Sequence, residues 1–233
     1  MNTNYASVQV TSTDVEYTFR KACIWDADFL ADVIIGAEKS FTNNLGLAKF
    51  FELSEEKVRE LIIKMLQEEI DGCEFSVSSF FIALYKEKPV GAVGGWLEGF
   101  DGRAPSNMIK SNLISFIFPK ENVAKAQVKL AIIKEMLQIE RPLGTYQIEY
   151  GYVDNDHRGK RITNKLMDLH FAYAKQLDPN VTQVQVSCFE TNQTSIKMHQ
   201  KNGFQIIDRF VCDNQEILEY LPFNVKILLE KII

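Results

Sequence analysis

Residues 146–163 read Tyr146-Gln-Ile-Glu-Tyr-Gly-Tyr-Val-Asp-Asn-Asp-His-Arg-Gly-Lys-Arg-Ile-Thr163. The pattern predicts a strand that ends at Val153, a polar turn over 154–156 and a helix over about 158–176. The first N–H groups of a helix have no partner inside it, and the helix dipole is positive at that end. An anion is therefore favoured at this helix start.

Basic residues cluster at the same helix start, because Arg158, Lys160 and Arg161 lie close together there. Cations at a helix N-terminus are unfavourable by about 0.3–1 kcal/mol each unless an anion joins them. The cluster therefore predicts a polyanionic ligand. The alternative is a solvated basic turn that faces Asp154 and Asp156.

A second segment begins at Val184 and reads Val184-Gln-Val-Ser-Cys-Phe-Glu-Thr-Asn192. It predicts a strand, and the following residues predict a short helix that Gly203 closes. The residues with a recognisable spacing here are Asn192, Ser195, Ile196, Met198, His199, Gly203 and Phe204. Together with the turn at Arg158, this spacing resembles the GNAT superfamily of acyl-CoA-dependent N-acetyltransferases.

In that family the first helix start carries an (Arg/Gln)-x-x-Gly-x-(Gly/Ala) loop that binds the pyrophosphate of coenzyme A. The second segment typically reads Asn-x-x-Ala-x-x-x-Tyr-x-x-x-Gly-Phe. This chain departs from the pattern at Arg161 and Thr163, which stand where the loop has small residues, and at His199, which stands at the Tyr position. A helix start accepts side chains at such positions while φ stays negative, so the resemblance still implies a coenzyme A site.

The resemblance implies that acetyl-CoA, as acyl donor, enters between the strand at 146–153 and the next parallel strand at 184–189, where the two part. A glycine in the first strand would allow close approach of the pantetheine arm. The residues expected to bind the cofactor are Gly151, Tyr152, Val153, Arg158, Gly159, Lys160, Arg161, Ile162, Thr163, Asn164 and Asn192.

Glu149 is the candidate general base. Strand alternation predicts that Ile148, Tyr150 and Tyr152 point to one side of the sheet and that Glu149 points to the other. A carboxylate on a central strand is costly to bury without a partner, so Glu149 is expected to face a wet cleft. One alternative is that Gln147, which is expected on the same face as Glu149, supplies the polar group of the site. The other is that Glu149 is paired with an Arg or Lys elsewhere.

His199 is the candidate acid, because it takes the position of the family's tyrosine that protonates the coenzyme A thiolate. An imidazolium donates a proton more readily than a phenol, provided that it is charged or reprotonated. The alternative is a His199 that only packs on its helix face. A nucleophilic Cys188 is a minor hypothesis, since no pattern pairs it with a histidine.

Composition bounds the remaining classes. The chain has 233 residues, 46% of them hydrophobic, a formal net charge of −5, four Cys and three His. This acidic balance argues against a nucleic-acid or membrane surface, and the scattered cysteines predict no metal site. No signal peptide and no apolar run of about 18 residues is evident, so a cytoplasmic location is expected.

The expected fold class is α/β (α+β): a GNAT-like mixed, mostly antiparallel sheet flanked by helices, with a helical insertion before the cofactor-binding strand. Residues 1–13 are predicted to be a flexible tail and residues 14–233 a single domain. The insertion covers about 99–145, with a helical pattern from Val123 to Leu137. It is interpreted as a lid or acceptor wall, or as a helix that thickens the core or forms a homodimer contact.

The predicted function is N-acetyl transfer from acetyl-CoA to a primary amine by direct attack in a ternary complex. The acceptor is a small-molecule amine or an amine of a peptide or protein. The alternative is a non-catalytic acyl-CoA-binding sensor or interaction module of the same fold.

Overall fold

The computed structural model describes residues 8–12, 15–137 and 139–233. The strands are β1 Val8–Ser12, β2 Val15–Lys21, β3 Phe80–Tyr85, β4 Lys88–Leu97, β5 Tyr146–Val153, β6 Gln183–Phe189, β7 Gln205–Val211 and β8 Val225–Ile232. The helices are α1 Ala27–Lys39, α2 Gly46–Phe51, α3 Glu55–Gln67, α4 Ser106–Ile117, α5 Lys120–Leu137, α6 Ile162–Leu177, α7 Gln193–Lys201 and α8 Ile217–Tyr220.

The described strands form one mixed sheet in the order β1-β2-β3-β4-β5-β6-β8-β7. Its neighbouring strands are antiparallel except β5 and β6, which are parallel. Helices pack on both faces, so the predicted mixed, mostly antiparallel α/β (α+β) fold is confirmed. Strands β3 and β4 form an antiparallel hairpin whose turn consists of Lys86 and Glu87.

The predicted flexible tail over 1–13 needs a correction at 8–12. There the chain is strand β1, whose residues pair antiparallel with β2, as in Val10 with Tyr17. Backbone pairing with β2 satisfies the N–H and C=O groups that face that strand. Residues 1–7 and 13 of that tail lie outside the described residues, and the domain limits 14–233 stay a prediction.

Two cores flank the sheet. Helices α1 and α3, with α2 and α4, cover one face through buried residues such as Leu30, Ile62 and Ile82. Helix α6 covers the other face, where Leu166 and Ile148 belong to the second core. The apolar spacing along α1 and α3 places one stripe of each helix in the first core.

The insertion consists of α4 and α5. Leu113 of α4, Phe118 between the helices and Ala126 of α5 are buried in the first core. The side-chain amide of Asn122 also donates to the Phe51 carbonyl oxygen over 2.8 Å. The helical pattern from Val123 is confirmed as α5, and the insertion packs on the helical layer beside the sheet.

A β-bulge interrupts β5. The pairing with β4 shifts between Ala92 and Gly94, and Tyr150 is held at a φ of 58°. A Cβ on Gly94 would lie 2.8 Å from the Glu149 carbonyl oxygen, so the neighbouring strand needs glycine at this close approach. An extra residue in one strand reverses, beyond that residue, which face of the sheet each side chain points to.

The predicted face of β5 is therefore wrong in part. Ile148 packs in the second core, whereas Tyr150 and Tyr152 pack against the first core on the opposite side of the sheet. Tyr150 thus shares the face of Glu149.

No helix within the described ranges is long and apolar enough to cross a membrane.

Candidate functional site

A cleft opens where β5 and β6 part. Their parallel pairing covers only three positions, from Tyr146 with Val184 to Ile148 with Val186, although both strands continue beyond them. The cleft has a volume of about 2100 Å³ and is lined by both diverging strands, by the start of α6 and by α4 of the insertion. Ligand sites are commonly about 300–1,000 Å³, so this space can hold two substrates at once.

The start of α6 forms one end of the cleft. The helix begins at Ile162 rather than at Arg158, because residues Asn155–His157 form a separate 3-10 turn and the loop from Arg158 to Arg161 precedes the helix. The N–H groups without an intrahelical partner are therefore those of the first turn from Ile162. The predicted helix start is corrected by four residues, and an anion site at this helix end stays a prediction.

Arg161 is in the left-handed conformation, with a φ of 59°, and Gly159 has a φ of 75°. The expectation that Arg161 keeps a negative φ is therefore wrong. A non-glycine residue in this region costs about 1–3 kcal/mol, which explains why small residues are typical at this position. The loop adopts this left-handed conformation although the residue is an arginine.

The three cations of the loop differ in their surroundings. Arg158 donates from Nε to the Val153 carbonyl oxygen over 2.9 Å, and its guanidinium lies 5.5 Å from the Phe41 ring centroid. Lys160 and Arg161 are exposed at the cleft end. Arg158 therefore orders the end of β5, whereas Lys160 and Arg161 are available to an anion.

Two predicted asparagines have structural partners. The Asn192 side chain caps α7 by accepting from the Ser195 N–H over 3.1 Å. Asn164 donates from its side-chain amide to the Asn202 side-chain oxygen over 3.0 Å. Both line the cleft together with the other predicted cofactor residues Gly151, Tyr152, Val153, Gly159, Ile162 and Thr163. Of the predicted set, only Lys160 is not among the residues that line it.

Glu149 lies on the cleft wall and is paired with Arg141, whose Nη2 donates to a Glu149 carboxylate oxygen. Arg141 also lies 3.5 Å from Glu74, and Lys110 donates to the other Glu74 oxygen over 2.6 Å. These four charges form a network between β5, the loop before β3 and the insertion. The alternative of a Glu149 that is paired with a cation is thus the one that the structure shows.

Glu74 is 1% exposed, and its Oε2 has no hydrogen-bond donor among the described residues although Arg141 lies at ion-pair distance. Burial raises the pKa of such a carboxyl, but the charges of Lys110 and Arg141 outweigh it and hold the pKa below its usual value. Burial likewise lowers the pKa of Arg141, and Glu149 and Glu74 raise it further than burial lowers it. Glu74, Lys110 and Arg141 are therefore ionised at neutral pH.

The insertion is also anchored at the N-terminus of α4. Glu98 accepts from the Ser106 N–H over 2.6 Å and from the Trp96 ring N–H over 2.9 Å. Arg141 donates to the Ser106 hydroxyl over 3.1 Å. A carboxylate at a helix N-terminus is stabilising, so Glu98 fixes where α4 enters the cleft wall.

Sequence analysis missed Glu38, in the last turn of α1. The Tyr150 hydroxyl donates to Glu38 Oε1 over 2.8 Å, and both residues line the cleft. An acidic residue near a helix C-terminus is unfavourable to the helix dipole, which is the one local signal that could have marked Glu38. Its partner is distant in the chain and reaches it only because of the β5 bulge.

His199 lies on α7 at the cleft wall and is 5% exposed. Burial lowers the pKa of its imidazole to about 4, so the ring is neutral at pH 7. The ring packs edge-on against Phe204, with centroids 5.3 Å apart, and Nδ1 has no hydrogen-bond partner among the described residues. The predicted acid is therefore in the cleft wall in its uncharged form.

Cys188 lies on β6 where the strands part. Burial raises the pKa of its thiol to about 11, although a hydrogen bond with Ser195 lowers it slightly. A thiol that stays protonated is a poor nucleophile, so the site does not favour a covalent intermediate on Cys188. No group of three or more His, Cys, Asp or Glu side chains that could hold a metal ion occurs in the part of the chain that the structure describes.

Comparison with known proteins identifies the family. The family model described as acetyltransferase (GNAT) family matches residues 47–204, which is more than half of the chain. The chain belongs to the GNAT family. The matched region contains both segments that carry the resemblance seen in the sequence, and it also contains the whole insertion.

Solved structures similar to this GNAT protein share its fold at low sequence identity. An N-acetyltransferase from Staphylococcus aureus Mu50 is 15% identical, with a TM-score of 0.63 over 91% of this chain and 98% of that chain. A mutant agmatine N-acetyltransferase in its apo form is 14% identical, with a TM-score of 0.55 over 93% and 99% of the two chains. The PaiA N-acetyltransferase from Thermoplasma acidophilum, in complex with coenzyme A, is 13% identical, with a TM-score of 0.50 over 93% and 99%. A search of curated proteins found no match.

Proposed function

We propose that this GNAT protein transfers an acetyl group from acetyl-CoA to a primary amine, by direct attack of the amine in a ternary complex. The observation that carries the proposal is the parting of β5 and β6 beside the basic start of α6. That opening joins an anion-binding helix end to a cleft wall rich in ionisable groups. The family membership and the coenzyme A complex of one structural neighbour support the same reaction class.

The residues present fit acetyl-CoA. Beyond Ile148 the β5 backbone no longer pairs with β6, so its polar groups are free to bond the amides of a pantetheine arm. A Cβ on Gly151 would meet only Val93, at 3.7 Å, which leaves room beside this strand for a ligand. The first turn of α6, with Lys160 and Arg161, would hold the pyrophosphate.

The amine must lose a proton before it attacks, because an alkyl ammonium has a pKa near 10.4. Glu149 is the base predicted from sequence, and its carboxylate lies on the cleft wall. Its bond to Arg141 uses part of its accepting capacity. In this role one Glu149 oxygen stays on Arg141 while the other accepts the amine proton.

The departing thiolate needs a proton. His199 is our candidate to deliver it, and because its ring is neutral it would act as a relay. One ring nitrogen takes a proton released by the attacking nitrogen as the other passes its proton towards sulfur. This requires no resting imidazolium.

Glu38 lines the cleft and is in no ion pair among the described residues, so we propose a cationic amine as acceptor, either a small molecule or an amine of a peptide or protein. One structural neighbour is named for agmatine, a cationic amine. A cytoplasmic location and a homodimer stay predictions.

Two measurements test the proposal. Calorimetric titration with acetyl-CoA should show binding, and thiol release should appear with at least one member of a panel of small amines and N-terminal peptides. No heat of binding would refute the coenzyme A site. Binding without turnover on any amine would favour the second candidate, a non-catalytic acyl-CoA-binding module, which the strained Arg161 loop and the neutral His199 also fit.

A further inference from the structure

Glu38 differs from the other carboxylates of the cleft. Glu74 and Glu149 are each held by a cation of the charge network. The described residues place no Lys or Arg within 4.0 Å of Glu38, and the Tyr150 hydroxyl donates to its carboxylate over 2.8 Å. Glu38 is therefore a cleft carboxylate that is not committed to an ion pair.

Tyr150 is positioned to connect Glu38 with the reacting groups. The β5 bulge turns its side chain to the side of Glu149, at the point where β5 and β6 have already parted. Its ring packs against Phe75, with centroids 6.1 Å apart, which fixes the direction of the hydroxyl. Burial raises the pKa of this hydroxyl well above its usual value of 10.0, so it stays protonated and donates to Glu38.

The surroundings of Glu38 suit a proton acceptor. Burial raises its pKa, while Lys226 of β8, the Tyr150 hydroxyl and Lys110 of α4 lower it and Glu149 raises it. The net result is a raised pKa. A base whose pKa moves from the usual 4.5 towards the working pH takes a proton from an ammonium more effectively.

We propose that Glu38, through the Tyr150 hydroxyl, accepts the proton that the acceptor ammonium must lose. The inference rests on the proposed function and replaces Glu149 as the base of that reaction, leaving the Glu149 and Arg141 pair as part of the acceptor wall. The ammonium gives one proton to the Tyr150 oxygen as the hydroxyl proton passes to Glu38. The neutral nitrogen then attacks the thioester carbon.

The remaining bonds balance without another reactant. The nitrogen–carbon bond forms and the carbon–sulfur bond breaks, with its electron pair leaving on sulfur. A second proton of the attacking nitrogen reaches the thiolate, directly or through His199, and the third stays on the amide. Glu38 returns its proton to solvent before the next turnover.

The test measures kcat/KM against pH for the wild type, Glu38→Gln, Tyr150→Phe and Glu149→Gln, with the amine of the panel that gives the fastest thiol release. Glu38→Gln should lower kcat/KM at neutral pH by about 100-fold or more. The loss should shrink as the pH approaches the pKa of the free amine, near 10.4, because the acceptor is then neutral without help. Tyr150→Phe should show the same pH-dependent loss with its ring packing retained.

Glu60→Gln on α3 is the matched control, since Glu60 is exposed and pairs only with Lys57 among the described residues. It should match the wild type at every pH. Acetyl-CoA binding by calorimetry should be unchanged in Glu38→Gln, which separates this effect from a damaged cofactor site. If Glu38→Gln does not fold, the dependence of kcat/KM on pH in Tyr150→Phe decides whether the proposal holds.

The results separate the two proposals. A wild type that releases no thiol with any amine overturns the proposed function and this inference with it. An active wild type whose Glu38→Gln variant stays within threefold across the pH range overturns the inference alone. A pH-dependent loss confined to Glu149→Gln would return the role of base to Glu149.

Discussion

Replacement of Glu74 by Gln should destabilise this protein through the charge network of the cleft wall. Glu74 is 1% exposed and faces Lys110, which is 28% exposed, and Arg141, which is 16% exposed. Gln keeps the size of the side chain and removes its charge. Two partly buried cations then lose their shared counter-charge.

The loss of stability in Glu74→Gln depends on how much counter-charge Arg141 and Lys110 keep. Removal of one partner of a buried pair usually costs about 3–5 kcal/mol. Arg141 keeps Glu149, and Lys110 reaches water in part, so we expect the lower end, about 3 kcal/mol. At about 2–4 °C per kcal/mol for a chain of this size, the melting temperature should fall by about 6–12 °C.

The pH dependence of the free energy of unfolding gives a second test of Glu74. The folded-state pKa of Glu74 lies below its usual value of 4.5, because Lys110 and Arg141 outweigh the effect of burial. The stabilisation is therefore fully present above pH 4.5 and is lost as the pH falls below it. The difference between wild type and Glu74→Gln should be largest near neutral pH and should shrink in acid.

Urea unfolding followed by circular dichroism, repeated at several pH values, measures the loss in the free energy of unfolding and its pH dependence. The control is Glu60→Gln, which breaks an exposed pair with Lys57, where the side chains are 60% and 42% exposed. That variant should lose less than about 1 kcal/mol. A Glu74→Gln protein within about 0.5 kcal/mol of the wild type at pH 7 would refute the reasoning, since surface substitutions show changes of that size.

Four further substitutions test the site. Glu149→Gln should raise KM for the amine, because the acceptor wall loses a charge, and should leave acetyl-CoA affinity unchanged in calorimetry; a loss of kcat/KM that shrinks towards the pKa of the free amine would return the role of base to Glu149. Reversal of Arg158 and Lys160 to Glu should weaken coenzyme A binding, most strongly at low salt; equal affinity at all salt concentrations would misplace the phosphate site. Arg161→Gly should raise the free energy of unfolding by about 0.5–1 kcal/mol in urea, because glycine accepts a φ of 59° without strain, and a less stable variant would contradict this. His199→Phe should remove an acid sensitivity: the folded-state pKa of about 4 lies below the usual 6.5, so the wild type loses up to about 3 kcal/mol as the pH falls between these values. Parallel stability curves for the two proteins would show that His199 is not held neutral.

Local signals in the sequence were sufficient for most elements. Ser54 before Glu55 predicts the start of α3, and there its side chain accepts from the Lys57 N–H. The runs Phe80–Tyr85 and Val90–Leu97, joined by residues 86–89, predict a hairpin, and both strands are present as β3 and β4. Caps, turns and periodicity act over a few residues, so a single sequence displays them.

The start of α6 shows the limit of such signals. The basic cluster predicts the anion-binding end, yet the helix begins at Ile162 and Arg161 is left-handed. Whether a residue caps a helix or lies within it depends on the path of the preceding loop. That path is set here by Arg158, which bonds the end of β5.

By itself the sequence indicated the family resemblance, most of the strands and helices and the basic start of α6, where it predicts a phosphate site, because each depends on residues that are near one another in the chain. Only the tertiary structure decided which carboxylates are free to act. Glu149 meets Arg141 from the end of the insertion, and Glu38 meets Tyr150 across 112 positions. The bulge that brings Tyr150 to Glu38 depends on Gly94 in the neighbouring strand, and no local pattern in β5 encodes that pairing.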